Sequence, residues 1–249
     1  MLLRDKIALV TGGTKGIGAA TAIELVRHGA DISIAARRID ENAQRVRKAV
    51  ESLGRQCLLI SADLAKPQDA TAAVQQTAVD FGALDVLVHS AGGPVPGGLF
   101  EITPETWHSA FDIHVHAVFY LCRAAVPLMR KKKEGAIILV SSSAGKRALR
   151  SNIAYQTVKG ALPQLTRALA WELADDNIRV NCAAPGVIWT DFHLGMSAQQ
   201  RQNNVQNRIP LHREGTAEQV ASLIRELITN DYITGEVVSI DGGLTMRIC

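Results

Sequence analysis

The sequence has few cysteines, little net charge and no long apolar run, and each shortage removes a class of protein. Its four cysteines, Cys57, Cys122, Cys182 and Cys249, form no C-x-x-C pair. Three of them fall in apolar strand or helix patterns and read as reduced core thiols. No apolar stretch approaches the ~20 residues that span a bilayer, so no membrane segment is expected. Met1 to Lys6 leads straight into a strand-like run. It lacks the apolar core and small-residue cleavage site of a signal peptide, and the expected location is the cytoplasm. The formal net charge is only +3, too small and too scattered for a nucleic-acid surface. One basic run, Arg130-Lys131-Lys132-Lys133, falls where a helix should end and suits the helix dipole. A patch for an acidic partner is the competing reading.

What is present is a regular alternation. At 249 residues the chain is long for an average domain but ordinary for one α/β domain. No linker, repeat or low-complexity tract divides it, so residues 1–249 are expected to form a single domain. Apolar runs predict strands at Ile7–Thr11, Asp31–Ala36, Cys57–Ala62, Leu84–His89, Ala136–Ser141, Ile178–Ala184 and Glu236–Ile240. Helical spacing predicts Gly16–His28, a helix capped by Asp40 and stopped by Gly54, and one from Pro67 to near Gly82. Further helices are predicted from a Thr103 cap to about Lys131 with a break near Asp112, over Ser151–Ala174 despite Pro163, and over Thr216–Thr229. Val187–Leu211 is polar and irregular and reads as a loop with short helices. Nearly all-apolar strands alternating with helices imply a parallel sheet covered on both faces. Right-handed crossovers make it doubly wound, and such sheets bind ligands at the carboxyl ends of their strands.

Between the first strand and first helix lies Thr11-Gly12-Gly13-Thr14-Lys15-Gly16-Ile17-Gly18. Gly12 permits a tight turn, Gly16 lets backbone approach a pyrophosphate, and Gly18 lets helix pack on strand. No G-K-[ST] follows, which excludes a P-loop. A packing turn without ligand is the competing reading. If a dinucleotide binds here, the tip of the second strand chooses it. Ala35-Ala36-Arg37-Arg38 offers no acid for a ribose hydroxyl, whereas Lys15, Arg37 and Arg38 suit a 2′-phosphate. NADP is therefore favoured over NAD, for which Asp40 or Glu41 would have to serve. Asp63, followed by Leu64 at the tip of the third strand, is either an acceptor for the adenine amino group or a turn residue.

On the long helix, Tyr155 and Lys159 are four residues apart and share a face. A phenol has a pKa of about 10, and lowering it by about three units takes roughly 4 kcal/mol. A nearby ammonium could supply that, making Tyr155 an acid or base for a carbonyl or alcohol oxygen. Ser142, just beyond the fifth strand, could orient that oxygen; Ser141 and Ser143 compete for the role. His114 and His116 point to opposite sides of a helix, and no metal site is expected.

The chain resembles the short-chain dehydrogenase/reductase family over nearly its whole length. The resemblance rests on the T-G-x-x-x-G-x-G turn, Ala91-Gly92 after the fourth strand, Ser142 thirteen residues before Tyr155, and the Y-x-x-x-K pair. Pro185-Gly186 after the sixth strand and Asp241-Gly242-Gly243 after the last complete it. It implies a single Rossmann-type domain with a seven-stranded parallel sheet and helices on both faces. It implies that Ser142, Tyr155 and Lys159 are catalytic and that Lys159 also holds the nicotinamide ribose. Thr190 would meet the carboxamide, and Pro185, Gly186 and Ile188 would line the cofactor. Val187–Leu211 would be the substrate-binding loop, with Pro94, Val95, Phe100, Ala148, Ile188, Trp189, Phe192 and Met196 as pocket candidates for a fairly apolar substrate. A homotetramer or homodimer is implied, through the Asp112–Lys131 and Ser151–Ala174 helices and the C-terminal segment.

Two departures qualify this. Many members carry N-N-A-G where this chain has His89-Ser90-Ala91-Gly92, and His114 stands where a relay asparagine usually sits. Either His114 substitutes through its carbonyl or ring, or the relay is rerouted. The expected activity is hydride transfer between NADP and a ketone or secondary alcohol. Two alternatives are 3-oxoacyl-carrier-protein reduction, opposed by Asp175-Asp176, and a dinucleotide-binding regulatory protein without chemistry.

Overall fold

The computed structural model describes residues 1–193 and 195–246. Seven strands form one sheet: β1 (Ile7–Thr11), β2 (Asp31–Ala36), β3 (Cys57–Ser61), β4 (Val86–His89), β5 (Gly135–Val140), β6 (Ile178–Pro185) and β7 (Val237–Ile240). Their order is β3-β2-β1-β4-β5-β6-β7, and every pairing is parallel. The chain winds outward from β1 in one direction and from β4 in the other. The crevice between their carboxyl ends is therefore the switch point where such sheets take ligands.

The described residues form eight α-helices: α1 (Gly16–Arg27), α2 (Glu41–Ser52), α3 (Pro67–Phe81), α4 (Pro104–Phe111), α5 (Ala117–Lys132), α6 (Ile153–Leu173), α7 (Ala198–Asn203) and α8 (Ala217–Thr229). Alternate strand residues face opposite layers. Leu9, Leu87 and Ile137 pack with α3, α5 and α6. Val10, Val88 and Ile138 pack with α1, α2 and α8. A sheet sandwiched in this way needs apolar residues on both faces of every central strand, which is the composition those strands have.

Local chemistry sets the boundaries. Asp40 accepts a hydrogen bond from the Ala43 amide at 3.1 Å and starts α2. Pro67 opens α3, and Gly82, at φ 78°, closes it. Thr216 and Gln219 form a capping box on α8. The break expected near Asp112 is not a break. Asp112–His116 is one π-helical turn joining α4 to α5 without loss of direction, and such wide turns occur often at functional sites. Pro163 lies inside α6 and does not end it.

The basic run ends α5, and two of its cations are paired. Arg130 meets Asp176 at 2.6 Å, and Lys132 meets the buried Asp85. Cys57, Cys122 and Cys182 are free, and burial pushes the Cys57 thiol up to about 11 and the Cys122 thiol to about 12. Cys249 lies outside the described residues. Among the described residues no helix is long and apolar enough to cross a membrane.

Candidate active site

At the carboxyl edge of the sheet lies a cleft of about 1490 Å³, lined by the glycine turn, the tips of β2, β3, β4 and β5, the Tyr155 face of α6 and the loop after β6. The turn sits tight because its glycines carry no side chain. A Cβ on Gly12 would lie 2.8 Å from Ala91 Cα, and one on Gly18 would lie 2.3 Å from the Gly12 carbonyl oxygen. Lys15, the N-cap of α1, offers no side-chain cap, and the first turn carries no acid. The helix therefore presents uncapped amides and the positive end of its dipole to the cleft, which fits a pyrophosphate.

Of the residues expected at a cofactor, Gly12, Thr14, Lys15, Gly16, Ile17, Gly18, Arg37, Asp63, Leu64, Ala91, Gly92, Pro185, Gly186, Ile188 and Thr190 line this cleft, as do His114, Ser142, Tyr155 and Lys159. Arg38 does not; it is exposed beyond the cleft wall. Asp40 is committed to its helix cap, and that backbone hydrogen bond holds its carboxyl below the usual range. The Asp63 carboxylate accepts only a long bond, 3.4 Å, from the Ala65 amide.

Proline chemistry fixes the Tyr155 helix. Pro163 has no N–H, so the Lys159 carbonyl, four residues earlier, loses its helical donor. Ser141 Oγ replaces it at 2.6 Å. Gly145 also lies against that carbonyl, which a Cβ there would approach to 2.6 Å. This pins the helix to the tip of β5 and commits Ser141 to structure. Ser143 is buried. Ser142, whose Oγ accepts from the Ala144 amide at 3.1 Å, is left as the serine whose side chain acts on the Tyr155 phenol.

The electrostatics differ from the sequence expectation. Lys159 is 7% exposed. Its Nζ donates to the Val140 carbonyl at 2.8 Å and stands 5.8 Å from the centre of the Tyr155 ring. Burial lowers the ammonium to about 8. Burial also raises the Tyr155 phenol, with the Ser142 bond opposing it. Burial therefore favours the neutral phenol over the phenolate, the reverse of the sequence expectation.

The two departures from the family pattern are both buried histidines. His89 Nε2 lies 3.1 Å from the Ile113 carbonyl and its Nδ1 lies 3.0 Å from Thr11 Oγ1. A carbonyl only accepts, so Nε2 carries the proton and Nδ1 accepts from the hydroxyl. Thr11 Oγ1 accepts in turn from the Ser90 and Ala91 amides at 3.2 and 3.3 Å. This chain ties β1, β4 and the π turn together. His114 Nε2 donates to the Gly93 carbonyl at 3.2 Å, and its Nδ1 has no partner among the described residues. The His114 ring meets Tyr155 edge-on at 5.9 Å and lies where a Gly92 Cβ would be, 2.1 Å from its Cε1. Phe192 covers the other side of Tyr155, 5.8 Å between ring centres.

The part of the cleft expected to take substrate is less apolar than the sequence suggested. Pro94, Val95, Ala148, Phe192 and Met196 line it, but so do Arg147, Asn152, Asn204 and Arg208. Phe100 is 98% exposed and does not line the cleft. Trp189 lies outside it, under the Arg201 guanidinium at 3.7 Å.

A doubly wound parallel sheet with a cleft at its switch point defines a Rossmann-type fold. Residues 12–245 match a family model described as enoyl-(acyl carrier protein) reductase. The chain is 34% identical over 245 residues to a 3-oxoacyl-[acyl-carrier-protein] reductase of Chlamydia muridarum, covering 98% of both chains. A short-chain dehydrogenase from Burkholderia cenocepacia in complex with NADP is 33% identical with a TM-score of 0.91, over 98% of this chain and 99% of that one. L-sorbose reductase from Gluconobacter frateurii, complexed with NADPH and L-sorbose, is 29% identical with a TM-score of 0.93 over the full length of both. The chain belongs to the short-chain dehydrogenase/reductase family of oxidoreductase enzymes.

Proposed function

We propose that the protein transfers a hydride between NADP and a ketone or secondary alcohol, with Tyr155 as general acid and base. One observation carries the reading: Ser142, Tyr155 and Lys159 converge in the cleft that the glycine turn opens. The neutral phenol is ready to donate a proton to a carbonyl oxygen, which suits reduction. Ser142, in the same cleft as the phenol, is placed to orient the same oxygen. Lys159 would hold the nicotinamide ribose and carry a proton to or from Tyr155. Bound NADPH would supply the hydride itself. Neutral His114 would replace the usual asparagine as a wall that fixes Tyr155 and Gly92, with its backbone available to the relay. Residues 187–211 form the substrate loop within one catalytic domain of residues 1–249.

Lys15 and Arg37 support NADP over NAD, because both cations line the cleft and Asp40 does not. The NADP- and NADPH-bound relatives point the same way. Exposed Phe119 on α5 and Trp171 on α6 support a homo-oligomer. A screen of carbonyls and alcohols with both cofactors, followed by nicotinamide absorbance, tests the reading. NADPH oxidation by a class of ketones supports it. Tight NADPH binding with no turnover on any carbonyl would replace it with a regulatory protein.

The similarity to a 3-oxoacyl-carrier-protein reductase favours a second reading. Against it, Arg130 is neutralised by Asp176 and Asp175 stands beside that pair, where an acidic carrier would have to dock. A carrier-linked ketone reduced no faster than a small one excludes it.

A further inference from the structure

The substrate loop carries one cation whose setting differs from its neighbours. Arg201 pairs with Glu214 at 2.6 Å and stacks on Trp189. Arg213 bonds the Glu214 carbonyl and Gln219. Arg208 lines the cleft and meets no carboxylate among the described residues. Its Nη1 is fixed instead by Asn204 Oδ1 at 2.7 Å, and Asn204 is 4% exposed. A buried amide that spends its oxygen on a guanidinium, leaving the other donors of the fork free, sets that fork for a ligand.

A second cation converges on the same end. Arg147 also lines the cleft, and its Nε donates to the Thr245 carbonyl at 3.0 Å. Arg208 is followed by Ile209 and Pro210, which pack against Gly242 and Gly243. Arg147 is thus held by the segment after β7, and the residues that follow Arg208 pack against the same segment. Asp241, at the start of the segment after β7, spends its carboxylate on the Gly243 and Thr245 amides and the Thr245 hydroxyl, and the acids lining the cleft are Asp63, Asp112 and Asp191. Asp63 is at the tip of β3, Asp112 bonds His116 at 2.9 Å, and Asp191 follows Thr190 beside the glycine turn.

We infer that Arg208, assisted by Arg147, forms an anion subsite, and that the substrates are carbonyl compounds bearing a carboxylate or phosphate group. This rests on the oxidoreductase reading and names the substrate class of that site. The anion would seat on the planar fork while the carbonyl lies against Ser142 and Tyr155. The carbonyl carbon takes a hydride from NADPH and its oxygen takes a proton from Tyr155, giving the hydroxy acid or hydroxy phosphate and NADP.

The test is steady-state reduction of matched pairs by the full-length protein. A series of 2-, 3- and 4-oxo acids is assayed beside the methyl esters, and dihydroxyacetone phosphate beside dihydroxyacetone. The expected result is kcat/KM at least about tenfold higher for the charged member of a pair. That ratio should collapse in Arg208→Gln, mainly through KM, and recover in part in Arg208→Lys. Thermal melting of each variant checks that it is folded. A preference confined to the oxo acids assigns the subsite to carboxylate, and one confined to the phosphate pair assigns it to phosphate. Equal or better reduction of the neutral members, or a ratio untouched by Arg208→Gln, overturns the subsite and leaves the ketone reductase standing. No oxidation of either cofactor by any charged or neutral ketone overturns both.

Discussion

Mild acid should destabilise this protein through His89 and His114, and the effect can be worked from their surroundings. Each is 1% exposed. Burial first, then the Lys159 charge, holds His89 at about 3 and His114 at about 2, against an ordinary 6.5. In the unfolded chain both imidazoles take up a proton as the pH falls through 6.5, whereas in the folded chain they stay neutral down to about 3 and about 2. Over that window the unfolded state binds more protons, so stability falls with falling pH. Each histidine contributes about 1.4 kcal/mol per pH unit. From about pH 6.5 to about pH 5 the loss is roughly 2 kcal/mol per ring and roughly 4 kcal/mol for both. For a chain of this length that lowers Tm by about 8 to 16 °C. Urea unfolding followed by circular dichroism at about pH 7, 6 and 5 reads the slope. His89→Asn and His114→Asn should each remove about half of it, and the double variant most of it. A double variant with the wild-type slope would refute the reasoning and assign the acid sensitivity to other groups.

Two further outcomes follow from close contacts. Gly92→Ala puts a methyl 2.1 Å from His114 Cε1, at a φ of 131°, and should cost about 2 to 5 kcal/mol. Adding His114→Ala should recover at least about 1 kcal/mol of that in a double-mutant cycle, and strict additivity would refute the contact. Ser141→Ala leaves the Lys159 carbonyl without a donor inside α6 and should cost about 1 to 3 kcal/mol in chemical denaturation. Unchanged stability would show that the proline gap needs no filling. Arg37→Ala should weaken NADPH binding about tenfold or more in titration while changing NADH binding little; equal losses for both would remove the 2′-phosphate role.

Much of the fold was legible because its central strands are buried on both faces and read as largely apolar runs. Caps at Asp40 and Thr103, and Gly82 after α3, marked ends because each supplies a missing acceptor or left-handed residue. The π turn at Asp112–His116 was not legible. One extra residue per turn shifts the apolar phase, and that shift looks like a helix break in sequence. The serine triplet was ambiguous because Ser141, Ser142 and Ser143 are chemically alike. Pro163 held the missing signal: its absent N–H strands the Lys159 carbonyl, which needs a hydroxyl from the neighbouring strand tip. Phe100 and Trp189 misled because an apolar side chain on a loop carries no register to aim it. Arg208 went unnoticed because a polar loop reads as solvated, and what separates it from Arg201, a buried Asn204 partner in place of Glu214 and Trp189, is set by the fold. The depressed phenol was also misjudged, since spacing reveals the ammonium four residues away but not the depth of both groups.

The central claim is that the Tyr155 hydroxyl moves the proton that accompanies hydride transfer. The direct measurement is single-turnover reduction of the best ketone from the screen by Tyr155→Phe, with NADPH affinity measured on the same sample. The account predicts a hydride-transfer rate lower by about 10² to 10⁴-fold with NADPH binding retained. A folded, NADPH-binding Tyr155→Phe protein that turns over at the wild-type rate would contradict it.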